Sequence, residues 1–104
     1  MKQLTLIVKP FVAEAVLRVV NGFEVHACIV EEVKGYGRQK GYLDRYQGSE
    51  YSLAFLPKVE IAIWVEDNQC EALLEQIKET ARTGRMGDGK FFVQSTAWPE
   101  VIEF

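Results

Sequence analysis

Residues 58–66, KVEIAIWVE, alternate without a break: Val59, Ile61, Ile63 and Val65 fall on one side of an extended chain, Glu60, Ala62 and Trp64 on the other. Successive side chains of a strand point to opposite faces, so this pattern predicts a strand with one buried face. Just after it, Asp67 is placed to cap a helix over residues 67–82, DNQCEALLEQIKETAR, because its carboxylate can accept backbone N–H groups of the first turn. Leu73, Leu74, Ile77 and Thr80 form the expected buried stripe. A glycine-rich segment, TGRMGDGK at 83–90, then leads into a short strand, KFFVQS at 90–95, and an acidic tail, TAWPEVIEF at 96–104, in which Pro99 predicts an edge or an arm.

Working back from residue 58, the segment 35–58, GYGRQKGYLDRYQGSEYSLAFLPK, has neither a helical nor a strand period. So long a connection in so short a chain points to a binding loop. Before it, residues 23–34, FEVHACIVEEVK, alternate Phe23, Val25, Ala27 and Ile29 against Glu24, His26, Cys28 and Val30, which predicts a strand. Residues 11–21 place apolar side chains at 12, 15, 16, 19 and 20, a helical spacing that Asn21-Gly22 ends, and residues 2–9, KQLTLIVK, predict a first strand with Leu4, Leu6 and Val8 facing inward. The order β-α-β, loop, β-α-β is that of an α+β, ferredoxin-like split βαβ fold, two helices on one face of a four-stranded antiparallel sheet. The other face, with Ile7, Trp64 and Phe92, needs a cover, which predicts an oligomer.

The 104 residues suffice for one domain and one core. No run approaches the ~20 apolar residues of a membrane span, and Lys9-Pro10 interrupts the N-terminal apolar run too early for a signal peptide, so a cytoplasmic protein is expected. A net charge of −3 argues against a nucleic-acid partner. Cys28 and Cys70 lack the spacing of a metal site or redox pair and are expected to be buried free thiols; the single histidine, His26, is expected to be structural or on the surface.

Residues 84–90, GRMGDGK, have the GxxxxGK spacing of a phosphate-binding loop. A Walker loop runs from strand into helix and continues with a hydroxyl residue, whereas this one runs from helix into strand and continues with Phe91, so the NTPase reading is rejected. What survives is local chemistry: glycines that let backbone N–H groups approach an anion, with Arg82, Arg85 and Lys90 supplying charge. The turn is expected at the same end of the sheet as the base of the long loop, the two together making an anion cleft.

Taken together, EVKGYGRQKG, YQGSEY, FLPKVEI and ARTGRMGDGKFFV resemble, in order, the PII signal-transduction proteins of nitrogen regulation over about residues 5–95. The resemblance implies a cytoplasmic homotrimer that binds adenine nucleotides (ATP, ADP or AMP) in clefts between subunits and touches a target transporter or enzyme through a T-loop, here about residues 37–55. It implies nucleotide contacts from Gly35, Gly37, Arg38 and Gln39 at the loop base, and from Thr83, Gly84, Gly87, Asp88, Gly89 and Lys90 in a phosphate-binding loop at about 82–90. It further implies Mg²⁺ and 2-oxoglutarate at Gln39 and the 2-oxoacid at Lys58; some relatives are uridylylated at the position of Tyr51 or phosphorylated at that of Ser49. An amide oxygen suits Mg²⁺, and an ammonium suits a carboxylate.

The tail, 96–104, departs from the family. No Arg or Lys follows Lys90, and Val101 and Glu103 stand where the family's basic residues are expected. ATP carries about four negative charges at neutral pH, so the loss of cationic donors predicts either a shift toward ADP or AMP or another group that restores the charge. Relatives with altered tails act beside bicarbonate or metal transporters, which makes bicarbonate an alternative second ligand. Two other functions compete with a regulator: a slow nucleotide phosphatase, for which no nucleophile and base pair is evident, and a CutA-like metal-linked trimer, which the glycine-rich segments oppose.

Overall fold

Short, alternating or amphipathic runs set the elements of the chain, as seen in a computed structural model that describes residues 1–35, 56–82, 89–96 and 101–103. They are β1 (Lys2–Val8), α1 (Pro10–Asn21), β2 (Ala27–Gly35), β3 (Leu56–Val65), α2 (Asp67–Ala81) and β4 (Gly89–Ser95). The sheet order is β2-β3-β1-β4 with every neighbouring pair antiparallel, the expected split βαβ arrangement. The central strands β1 and β3 are inserted between the two strands that each helix connects.

Both helices lie on one face, α1 against β3, α2 against β1, and each against the other. Leu4, Leu6 and Val8 of β1 and Ile61, Ile63 and Val65 of β3 are buried there with Val16, Leu73 and Ile77. Their period of two in the strands and of three to four in the helices is the signal in the sequence that predicts the fold. Pro10 opens α1 as its first helical residue, where its missing N–H is no loss. The helix stops at Gly22, whose N–H donates to the carbonyl oxygen of Val19. No helix among the described residues is long and apolar enough to cross a membrane.

Four expectations are corrected. The strand expected from residue 23 starts at Ala27: the N–H of Phe23 donates to Val20 O, continuing the turn at the end of α1, and Phe23 and Val25 pack against the core, whereas Ala27 and Ile29, which the alternation placed with them, lie in register with Trp64 and Ala62 on the open face. The cap of α2 is Glu66, without a side-chain bond; Asp67 is the first helical residue, and its carboxylate lies 2.9 Å from the Met1 amino group. The stripe of α2 is Cys70, Leu73, Ile77 and Ala81, steps of three and four that leave Thr80 exposed. Finally, Cys28 is exposed, because β2 is an edge strand beyond the reach of the helices, whereas Cys70 is buried and burial pushes its thiol pKa up.

Candidate functional site

Strand register brings the two glycine-rich segments to one end of the sheet. At that end Glu32 of β2, Val59 of β3, Val8 of β1 and Gly89 of β4 stand in a single cross-strand row. The chain leaves β2 at Gly35, enters β3 at Leu56 and enters β4 at Gly89, all beyond or on this row. Lys34, Lys58 and Lys90, with Lys9 just past β1, stand there beside Glu31, Glu32 and Glu60, in a chain whose net charge is −3.

The row also separates the segments sideways. Its ends, on β2 and β4, are three strand spacings apart, about 14 Å. The cleft expected between the base of the long loop and the start of β4 is therefore not formed by the described strand ends of one protomer, which share an end of the sheet and lie at opposite edges.

Gly35 and Lys58 are coupled directly. A Cβ at Gly35 would lie 2.7 Å from Lys58 Cγ, so the lysine stem crosses the space that the missing side chain leaves. Gly35 thus lets Lys58 lie along the edge of the hairpin toward the loop. At the other edge, a Cβ at Gly89 would meet the carbonyl oxygen of Ile7 at 2.9 Å and Val8 Cγ1 at 3.2 Å, so the close approach of β4 to β1 requires glycine. Lys90 follows it, exposed, in register with Ile7.

Of the residues singled out from the sequence, Gly35, Lys58, Gly89 and Lys90 are at this end of the sheet. Gly37, Arg38, Gln39, Ser49 and Tyr51, and Thr83, Gly84, Gly87 and Asp88, lie outside the described residues. Val101 and Glu103 are exposed. His26 Nε2 is 3.5 Å from a Glu66 carboxylate oxygen, at the opposite end of the sheet.

The face turned away from the helices carries Ile7, Trp64 and Phe92 as expected, the first two half-buried and Phe92 49% exposed. It also carries a pair that sequence reasoning missed: Glu31 of β2 lies directly opposite Glu60 of β3. The alternation of each strand was legible, but a long connection fixes no register, and register alone makes the two carboxylates neighbours.

Comparison with known proteins bears on the family of the chain. A family model described as nitrogen regulatory protein P-II matches residues 1–102. The chain is 44% identical over 93 residues to nitrogen regulatory protein GlnK of Escherichia coli K12, covering 89% of this chain and 83% of that protein. It is 44% identical over 95 residues to nitrogen regulatory protein P-II of Rhizobium leguminosarum, covering 91% and 85%. With the protein of the same name from Pasteurella multocida the identity is 45% over 93 residues, covering 89% and 83%.

Proposed function

The chain belongs to the nitrogen regulatory protein P-II family, and from that premise we propose that it is a non-enzymatic signal-transduction regulator: a single-domain subunit of a homotrimer that binds adenine nucleotide between subunits and controls a transporter or enzyme through residues 37–55. The observation that carries the reading is the gathering of Gly35, Lys58, Gly89 and Lys90 at one end of the sheet, within a chain that matches the family model almost throughout. The lateral separation of β2 from β4 supports sites between subunits, where a neighbour can supply what one protomer holds apart.

In this reading the 82–90 segment takes the phosphates, with backbone N–H groups freed by Gly84, Gly87 and Gly89 and charge from Lys90. Gly37, Arg38 and Gln39 complete the nucleotide site, and Gln39 offers an amide oxygen to Mg²⁺ when ATP is bound. Lys58 takes the carboxylate of a small anion such as 2-oxoglutarate, or bicarbonate in its place. Ligand binding switches the loop only so far as it favours one loop conformation over another. Tyr51 and Ser49 are acceptors for a modification that would add charge to the loop. The protein is cytoplasmic and is recruited to the membrane only through its target.

The tail makes the proposal specific. Val101 and Glu103 supply no cation, so ADP or AMP is preferred over ATP. Isothermal titration with ATP, ADP and AMP, each with and without Mg²⁺ and 2-oxoglutarate, tests both parts. Binding of none of the three overturns the regulator reading; tight, Mg²⁺-dependent ATP binding with strong 2-oxoglutarate cooperativity overturns the shift in preference. Steady turnover of the bound nucleotide would instead favour a phosphatase.

A further inference from the structure

Lys58 stands between two directions on the open sheet face. Register places Val33 opposite it, with Gly35 and Leu56 one pair nearer the long connection and Glu31 and Glu60 one pair farther back, all on the same face. Diagonal neighbours across two strands lie about 7–8 Å apart, within reach of a lysine, so two courses are open to the stem: back to the carboxylates or forward over Gly35. The structure takes the forward one. A Cβ at Gly35 would lie 2.7 Å from Lys58 Cγ, 3.4 Å from Cε and 3.6 Å from Cδ, so three carbons of the stem cross the bare face of the last residue of β2. Gly35 is paired to Leu56 in the strand, and its φ lies outside the left-handed region. Its backbone conformation therefore does not call for glycine; the space taken by Lys58 does.

We propose that Gly35 is a positioning residue for the second ligand: the space left by its missing side chain is a slot that keeps the Lys58 ammonium from folding back onto Glu31 and Glu60, where it would be neutralised within the sheet. The pair ahead, Gly35 and Leu56, has no side-chain acceptor to hold the ammonium, whereas the pair behind has two carboxylates. A lysine already held on the forward course also loses less rotamer freedom when it takes up an anion. The inference rests on the reading of Lys58 as the cation for a small carboxylate or bicarbonate, and it adds what keeps that cation available: Gly35 acts through Lys58, and Glu31 and Glu60 compete with the ligand for it.

Isothermal titration of 2-oxoglutarate and of bicarbonate, with adenine nucleotide and Mg²⁺ saturating and circular dichroism monitoring the fold, tests the slot. Gly35→Ala is expected to weaken the anion that wild type binds by about tenfold, and Lys58→Ala by at least as much. G35A/K58A is expected to bind no more weakly than Lys58→Ala alone, because the slot has no purpose once the stem is gone. Adding E31Q/E60Q is expected to raise affinity more in the Gly35→Ala background than in wild type, since only there has the ammonium been turned onto the carboxylates. A further measurement needs no substitution: 2-oxoglutarate should slow acetylation of Lys58 by acetic anhydride about tenfold, read by mass spectrometry, and that of Lys34, on the opposite face of β2, less than about twofold. Undiminished anion binding by folded Gly35→Ala, additive losses in G35A/K58A, equal gains from E31Q/E60Q in both backgrounds, or equal protection of the two lysines overturns the positioning role and leaves the second-ligand reading standing. A wild-type protein that binds neither anion overturns that reading, and the positioning role with it.

Discussion

A methyl group added at Gly35 would meet Lys58 Cγ at 2.7 Å, whereas one added at Gly89 would meet the backbone of β1. The first obstacle is a side chain near its root, and it can yield only by moving Lys58. Gly35→Ala is therefore expected to cost about 1–2 kcal/mol, the range of modest overpacking, and Gly35→Ala in a Lys58→Ala background almost nothing, a non-additivity that urea denaturation of the four proteins would measure. At Gly89 the tightest obstacle is the Ile7 carbonyl oxygen at 2.9 Å, with Val8 Cγ1 a looser second at 3.2 Å, so Gly89→Ala is expected to lose about 2 kcal/mol even where Val8 is shortened to alanine, with the start of β4 displaced from Ile7. Equal behaviour of the two glycines would refute the distinction. Asp67 provides a residue-scale test by pH. A hydrogen bond from the Met1 amino group, helped by the charges of that amine and of Lys2, holds its carboxyl below the ordinary value despite some desolvation. A depressed folded pKa stabilises above the unfolded pKa and is lost as pH falls through the folded value. Asp67→Asn should thus melt lower than wild type at neutral pH, and the difference should shrink as pH falls below the ordinary carboxyl range.

Within elements, burial decides what can be changed. Ile63 and Leu73 are fully buried from opposite sides of the sheet–helix interface, so truncating either to alanine is expected to cost about 3 kcal/mol; Thr80→Ala, on the exposed flank of α2, is expected to change stability by less than about 0.5 kcal/mol. Chemical denaturation compares the three directly. These elements were legible in the sequence because β3 and α2 each bury one face and so display one period. Phe23 and Val25 misled for the same reason: they are apolar, alternate and pack against the core, yet the turn at the end of α1 holds their backbone out of the sheet. Asp67 misled because a carboxylate at a helix start has two ways to be satisfied, the first-turn amides or a nearby cation, and the Met1 amine is tertiary information. In the candidate site, Lys58 and Lys90 were legible from composition and motif. The contact of Lys58 with Gly35, the face shared by Glu31 and Glu60, and the distance from β2 to β4 depend on register across a long connection, which no local signal encodes.

For the whole molecule the governing asymmetry is charge. Lys9, Lys34, Lys58 and Lys90 stand at one end of the sheet among Glu31, Glu32 and Glu60, and residues 91–104 contain no Arg or Lys. A nucleotide arriving there gains from the lysines whatever its phosphate count; each added phosphate gains further only if more donors can reach it. Val101 and Glu103 are exposed, so arginines at these positions would have room to approach a phosphate chain. V101R/E103R takes the local charge of the pair from −1 to +2. If the tail sets nucleotide preference, the change should tighten ATP by about tenfold or more, ADP by less and AMP least, since charge-assisted bonds to phosphate scale with the oxygens available. The neutral pair V101Q/E103Q separates removal of the Glu103 carboxylate from addition of donors: it should recover only the part of the gain owed to lost repulsion. Raising the salt concentration should compress the ATP gain more than the AMP gain, as screening requires. Equal tightening of all three nucleotides in the arginine variant, measured by isothermal titration, would mean that the tail acts through assembly or folding. The identity of the nucleotide would then have to be decided by the loop base and the 82–90 segment alone.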